Sequence, residues 1–481
     1  MIAMNYRMIA RVLGTLLLAL AGLLLLPLAA GLYYHESILG FAVTVAASAS
    51  CGAGLLCFRP QTDELYAKDG FVIVGVGWIL LSLFGAMPFV IGGDIPDYID
   101  ALFETASGLT TTGASVVPNV EALSRGGMFW RLFTHWIGGM GVLVFIMAVL
   151  PMSGKHSMHL MRAEIPGPVV GKLVPRAKKT ARILYVIYLG MTLVEALLLR
   201  FGGMGWYEAL LHAFATAGTG GFSTRAASIA AFDSVYIEMV ISLFMFLFSV
   251  NFNLYYLLLL GRVRDVLKNE ELRCFTLIVL FSIVTMALNI APLYGGFVPA
   301  LRYSVFNTLS VASTSGFGTA DFTLWPEYSK WLIVLLMFIG GTAGGTAGGI
   351  KLSRVMILIR SSFAELMTIV SPRRVKRIRL EGRNVADSTV SVVYLYCTLY
   401  MLILLATTWI VSLDGYDIAT NFTAALSCLS NVGPGMGLIG PAGSFAIFSP
   451  GVKLVLTLVM LIGRLEITPI LVLFIPAFWR K

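Results

Sequence analysis

The sequence predicts an all-α polytopic membrane protein, and three observations carry that prediction. Of its 481 residues, 58% are hydrophobic and only 12% charged, with a mean hydropathy of +0.87. Soluble domains are about 25% charged, so this chain has too few charges to cover a water-facing surface. Apolar stretches of about 20 residues, the length that crosses a bilayer, recur from end to end. A unit of span, short helix, glycine loop and span occurs four times, behind two leading spans.

Ten stretches have spanning length: 8–30, 38–58, 71–92, 129–151, 183–201, 235–260, 274–296, 331–359, 389–411 and 453–478. Arg7, Arg11 and Leu28-Ala29-Ala30 imitate a secretory signal. The apolar run between them is long for one, and a second run follows at once, so 8–30 is expected to be the first membrane helix. Four further apolar stretches, 98–109, 206–217, 303–313 and 419–430, are about a dozen residues each and too short to cross; they suit re-entrant helices. The expected organisation is two N-terminal spans in 1–68, then pore units in 69–155, 175–268, 269–365 and 385–481. The five cysteines form no C-x-x-C, so neither a disulfide framework nor a zinc site is legible.

With the N- and C-termini inside, the inner segments hold 26 of the 34 Lys and Arg, the outer segments 7, and a span the last, Arg464. Acidic residues run the other way, 10 inside and 13 outside, with Glu195 and Glu466 in spans. The basic surplus is therefore accounted for by the positive-inside rule and requires no nucleic acid. The cluster Arg373, Arg374, Lys376, Arg377, Arg379 and Arg383 suits anionic headgroups of the lipid bilayer.

The four re-entrant stretches share a pattern: an apolar run, then small and hydroxyl residues, then glycine. Their ends are Thr111, Thr112 and Gly113; Thr219, Gly220 and Gly221; Thr314, Ser315 and Gly316; and Asn431, Val432 and Gly433. The glycines stand 108, 95 and 117 residues apart. Non-helical backbone at membrane depth survives where it lines a water-filled path. Glycine accepts positive φ at little cost, which lets successive carbonyls point one way. Four such loops round one pseudo-fourfold axis would make rings of carbonyl oxygen that replace the hydration shell of a monovalent cation. Thr110-Thr111-Thr112-Gly113 is nearest to the potassium-channel pattern T-V-G-Y-G, and the other three share little with it beyond Gly. The second loop, with Gly218, Gly220 and Gly221, is richer in glycine, which predicts a looser carbonyl geometry there.

At these residues the sequence resembles the Trk/Ktr/HKT superfamily of potassium transporters. The two extra N-terminal spans resemble the TrkH/TrkG branch. The resemblance extends over essentially the whole chain and implies potassium uptake across a bacterial inner membrane, with K⁺ as substrate and no enzymatic step. It also implies a homodimer and a cytosolic TrkA-like regulatory subunit that binds NAD or ATP. The chain itself has no nucleotide motif and no cofactor is expected in it. Glycine in all four loops is the pattern that the family associates with K⁺.

Two further features fit the same picture. Gly340, Gly341, Gly344, Gly345, Gly348 and Gly349 fall within ten residues of the span 331–359. Each glycine costs a helix about 1 kcal/mol relative to Ala, so this span is expected to break below the loops. Lys351 follows, but without the Gly-Lys-Ser/Thr ending of a phosphate-binding loop. Arg464, in Leu461-Ile-Gly-Arg-Leu-Glu466, is costly within a span and a functional candidate by default; Glu466, two positions on, points elsewhere on a helix. The resemblance implies that the glycine segment is an intramembrane gate and that Arg464 projects into the pore beside it. Glu195 is a candidate interhelical partner or coupling site. His156 and His159 lack further metal ligands. Asn421-Phe-Thr423 matches a glycosylation sequon by chance, within a re-entrant helix. The competing functions are a symporter coupling K⁺ to H⁺ or Na⁺, a membrane enzyme, for which convergent acid–base or metal groups are lacking, and a receptor role, which leaves four glycine loops unexplained.

Overall fold

The computed structural model describes residues 4–58, 66–141, 177–371 and 378–479. The far end of the span expected at 129–151, His156, His159, most of the basic inner loop around them and the basic residues 373–377 lie outside the described residues.

The chain is a bundle of helices around four short ones. Two leading helices come first: α1 (Tyr6–Leu23) runs almost straight into α2 (Leu25–Tyr33), and α3 (Leu39–Leu56) returns against it. The first unit comprises α4 (Ala67–Gly92), α5 (Tyr98–Leu109) and α6 (Arg125–Gly139). The second comprises α7 (Ala177–Phe201), α8 (Trp206–Gly218) and α9 (Val235–Ser249), with α10 (Phe252–Leu259) behind it. The third comprises α11 (Glu270–Ile290), α12 (Phe297–Ala312) and α13 (Glu327–Ile339), with α14 (Leu352–Val370) behind it. A two-stranded hairpin, β1 (Arg379–Leu380) and β2 (Arg383–Asn384), leads to the fourth unit of α15 (Asp387–Val411), α16 (Ile418–Ser430) and α17 (Pro450–Arg464), with α18 (Thr468–Leu471) behind it.

The short helices begin and end for local reasons. Asp97 accepts the N–H groups of Ile99 and Asp100 at 2.8 and 3.0 Å, and Asp417 accepts that of Thr420 at 3.0 Å; both are side-chain N-caps. Ser124, Ser234 and Ser449 cap the helices that follow the loops in units one, two and four. The four short helices are buried along most of their length, although they carry Glu104, His212, Asn307 and Asn421. The long first helices of the units face outward with Leu277, Phe281 and Leu288 on α11 and Leu395, Leu402 and Trp409 on α15, all exposed. Such faces suit lipid, not water.

Among the described residues, six helices are long and apolar enough to cross a membrane. The helices that follow the loops differ from expectation. The expected span 453–478 ends at Arg464 and turns by 119°, and 235–260 bends by 93° between Ser249 and Phe252. The expected 331–359 breaks at the glycine segment as predicted, and α6 stops at Gly139. Polar punctuation accounts for the two bends: Asn251 caps α10 through the N–H of Asn253, and Glu466 and Ile467 adopt positive φ just before Pro469.

The charge count also needs correction. Arg131 and Lys453, counted as outer, are buried against Glu104 and Asp100, and Arg354, counted as inner, is buried against Glu466.

Candidate functional site

The four loops meet. Each takes the same backbone path: left-handed at the first residue, then a glycine with positive φ two positions on. Thr111, Thr219, Thr314 and Asn431 have φ of 57°, 55°, 57° and 55°; Gly113, Gly221, Gly316 and Gly433 follow at 80°, 76°, 77° and 103°. Each loop is tied to its own short helix by one equivalent bond. Thr112 N donates to Ser107 O at 2.8 Å, Gly220 N to Ala215 O at 2.9 Å, Ser315 N to Ser310 O at 2.8 Å and Val432 N to Ser427 O at 2.9 Å.

The contacts between loops close a ring. A β-carbon added at Gly113 would strike the carbonyl oxygen of Gly220. At Gly221 it would strike that of Ser315, and at Gly316 that of Val432. At Gly433 it would meet that of Thr112 at 2.8 Å. Unit one therefore abuts two, two abuts three, three abuts four, and four returns to one. Only glycine fits at each step, for reasons of both space and φ. One cavity is lined by all four of these glycines. The C-terminal ends of α5, α8, α12 and α16 arrive at the ring, so their partial negative charge is directed at whatever occupies its axis.

Side chains brace the ring from behind. Glu104, 1% exposed, accepts from Ser115 Oγ and Val116 N at 2.9 Å and pairs with Arg131 Nε at 2.6 Å. Arg131 also donates to Ser223 O at 3.1 Å, in the next loop, and lies 3.6 Å above the Phe222 ring. His135 Nδ1 donates to Gly108 O at 2.8 Å while its Nε2 accepts from Phe222 N at 3.2 Å, which places the single ring proton on Nδ1. His212 reaches Ser223 Oγ at 3.0 Å, and Asn307 donates to Thr319 Oγ1 at 3.1 Å. Asn431 stitches the ring shut, donating to Thr112 Oγ1 at 2.9 Å and Met460 O at 3.0 Å.

Glu104, Arg131 and His135 were not singled out from sequence. The available signal was a charged residue and a histidine four apart, hence on one face, within an apolar stretch. His135 also explains the glycines of the second loop. β-Carbons at Gly218 and Gly220 would both run into His135. The extra glycines make room for a rigid buttress, and φ at Thr219 and Gly221 matches φ at the equivalent positions of the other three loops, apart from the wider 103° at Gly433.

The glycine segment crosses beneath the ring. Thr342 and Thr346 each bind twice to the end of α9. N and Oγ1 of Thr342 donate to Ser249 O, and those of Thr346 to Phe248 O, all at 3.1 Å. Gly348 N donates to Thr314 Oγ1 at 2.7 Å, in the third loop, and Gly349 N to Ser430 O at 2.9 Å, at the end of α16. Gly340, Gly344 and Gly349 take positive φ, whereas Gly341, Gly345 and Gly348 are pressed against neighbouring atoms. Arg464 joins this segment to unit one: it donates to Thr346 O at 2.8 Å and to Gly138 O and Gly139 O at 2.6 and 2.9 Å. Glu466 pairs with Arg354. Lys351 Nζ donates to Ala347 O. Glu195 is fully buried on α7, beside Thr216 of α8.

Fold and site together define a polytopic helical membrane protein in which four re-entrant loops surround one axis. The family of cation transport proteins named TrkH matches residues 38–481, and the chain belongs to it. It is 36% identical to the Trk system potassium uptake protein TrkH of Salmonella typhimurium, over 99% of this chain and all of that one. It is 32% identical to the Trk system potassium uptake protein TrkG of Escherichia coli, over 99% of each. The crystal structure of the potassium transporter TrkH from Vibrio parahaemolyticus superposes with a TM-score of 0.89 at 33% identity, over 99% of this chain and all of that one.

Proposed function

We propose that this chain is a potassium uptake protein of a bacterial inner membrane, with both termini in the cytoplasm. K⁺, and Rb⁺ with it, passes down its electrochemical gradient through the ring of main-chain carbonyls at residues 111–113, 219–221, 314–316 and 431–433. The inside-negative potential supplies about 2.3 kcal/mol per charge per 100 mV, so transport needs no chemical step and no cofactor in this chain. The glycine segment, pinned by Arg464, closes the path below the ring. A cytosolic TrkA-like subunit binding NAD or ATP releases it, and two copies of the chain associate in the bilayer.

The observation that supports this reading most directly is the closed cycle of glycine-to-carbonyl contacts from loop one to loop four and back. Packing alone does not require four loops with one dihedral sequence around one cavity. Carbonyl rings replacing a hydration shell do require it. The names of the relatives, potassium uptake proteins along the whole length, agree with it.

The test is Rb⁺ uptake by the purified protein in liposomes, with K⁺ or Na⁺ as competitor. K⁺ should compete strongly and Na⁺ weakly, and Gly113→Ser should narrow that difference. Equal competition by both ions, or uptake that requires a proton or sodium gradient, would overturn the proposal.

A further inference from the structure

The glycine segment is also held from within its own unit. Glu271, in the first turn of α11, is 7% exposed, and its Oε1 accepts the N–H of Ala343 at 2.8 Å and that of Ser353 at 3.0 Å. Ala343 lies inside the segment and Ser353 in the first turn of α14 just beyond it. One carboxylate oxygen thus brackets most of the segment. Bonds to an ionised acceptor are about twice as strong as neutral ones, and a buried donor left without a partner costs more than its bond was worth.

The bracket continues toward the basic, inner end of the bundle. The N–H of Glu271 donates to Glu381 Oε1 at 3.0 Å. Glu381 and Gly382 form the two-residue turn of the β1–β2 hairpin, with φ of 53° and 70°, the signs of a type I′ turn. Its carboxylate therefore sits at the N-terminus of α11, where a negative charge is favoured. Arg360, on α14, pairs with Glu270 at 2.9 Å and donates to the carbonyl of Arg379 in the same hairpin. An exposed hairpin tip, the start of α11, the start of α14 and the glycine segment are consequently one hydrogen-bonded assembly.

We propose that Glu271 is the positioning residue that holds the glycine segment across the axis, and that the hairpin at 378–385 is the lever that acts on it. Moving the hairpin takes Glu381 from α11 and Arg379 from Arg360, and loosens the helix end that presents Glu271. The segment then loses the tie of Ala343 to Glu271 while its contacts to α9 and Arg464 remain, so it is freed from one side first. This rests on reading the segment as the gate, and adds which groups set it and where force is applied.

The test uses the full-length protein in liposomes with two readouts, Rb⁺ uptake and amide hydrogen exchange of peptides covering 340–353. E271A should raise partner-free uptake about tenfold, as expected for losing bonds to a buried ionised acceptor, and speed exchange in 340–353 but not in 98–113. E271Q keeps an oxygen that accepts both N–H groups but loses the charge, so its rise should be smaller than that of E271A, about threefold. E381A, at an exposed tip, should give a smaller rise in both readouts, and carries the test if E271A does not fold. Unchanged exchange in 340–353 in folded E271A, or in E381A when E271A does not fold, overturns the proposal. If R464A raises uptake and E271A does not, the bracket fails and the gate reading stands. If exchange responds but no variant, R464A included, alters uptake, the bracket stands and the gate reading fails.

Discussion

The ring of loops and the layer just beneath it are built on opposite plans. In the ring, four different sequences adopt one backbone. Thr-Thr-Gly, Thr-Gly-Gly, Thr-Ser-Gly and Asn-Val-Gly share their φ signs, their bond back to the short helix and their contact with the next loop. Beneath it, the four second helices all end, but each differently. α6 stops at Gly139, α9 bends at Asn251, α13 gives way to the glycine segment and α17 turns after Arg464. On the function proposed above, symmetry is kept where one ion would meet equivalent oxygens from four sides. It is abandoned where a single segment has to cross the axis, since four identical copies of such a segment would collide there.

The largest effect that separates the two regions is expected at Gly221. Alanine there strikes the Ser315 carbonyl and must hold φ near 76°, and a left-handed L-residue alone costs about 1–2 kcal/mol. Rb⁺ uptake should fall more than about tenfold. Uptake and K⁺ preference equal to wild type would remove the ring from the ion path.

The next effect concerns the brace. Arg131→Met leaves the buried Glu104 without its partner, and breaking such a pair costs about 3–5 kcal/mol. The melting temperature in detergent should drop sharply. Glu104→Gln should cost less, because its single amide oxygen still accepts from Arg131 and Ser115 and only the Val116 N–H loses its acceptor. Equal melting of all three proteins would show that the pair does not support the loops.

Arg464→Ala acts on the asymmetric layer alone. It removes three main-chain contacts that span the glycine segment and α6. Partner-free Rb⁺ uptake should rise about fivefold, roughly 1 kcal/mol of closed-state preference, while competition by K⁺ over Na⁺ stays as in wild type. A change in ion preference with no change in rate would place Arg464 in the ring's function instead.

The short helices and the glycines at 113, 221, 316 and 433 were legible because run length and glycine leave a direct trace in sequence. The segment 340–349 was legible for the same reason. The left-handed turns at Thr111, Thr219 and Thr314 were not, since threonine does not advertise positive φ; tertiary contacts impose it. The brace was hidden for a related reason. Glu104, Arg131 and His135 lie far apart in sequence or within apolar runs, and their meaning depends on which loops they touch. The bends at Asn251 and after Arg464 were overlooked because hydropathy averages over polar punctuation. Ser249, Asn251 and Asn253 in one run, and Glu466 with Pro469 in the other, were the available signals.

The smallest effect tests the periphery of the ring. Asp417 caps α16 from outside the spanning helices, and its carboxyl is held below the ordinary value of 3.8, chiefly by the Thr420 hydroxyl at 2.5 Å and also by the Thr420 N–H. Because the folded value is depressed, its contribution is complete above the unfolded carboxylate range and is lost as pH falls through the folded value. Asp417→Ala should cost about 1 kcal/mol of stability at pH 7. Asp417→Asn keeps a capping oxygen but no titration, so its melting temperature should decline less than that of wild type between pH 5 and pH 3. Parallel declines would mean that the charge of Asp417 adds nothing to the cap. The far end of α16 would then rest on neutral capping bonds, unlike the first loop, which the ion pair of Glu104 and Arg131 braces from behind.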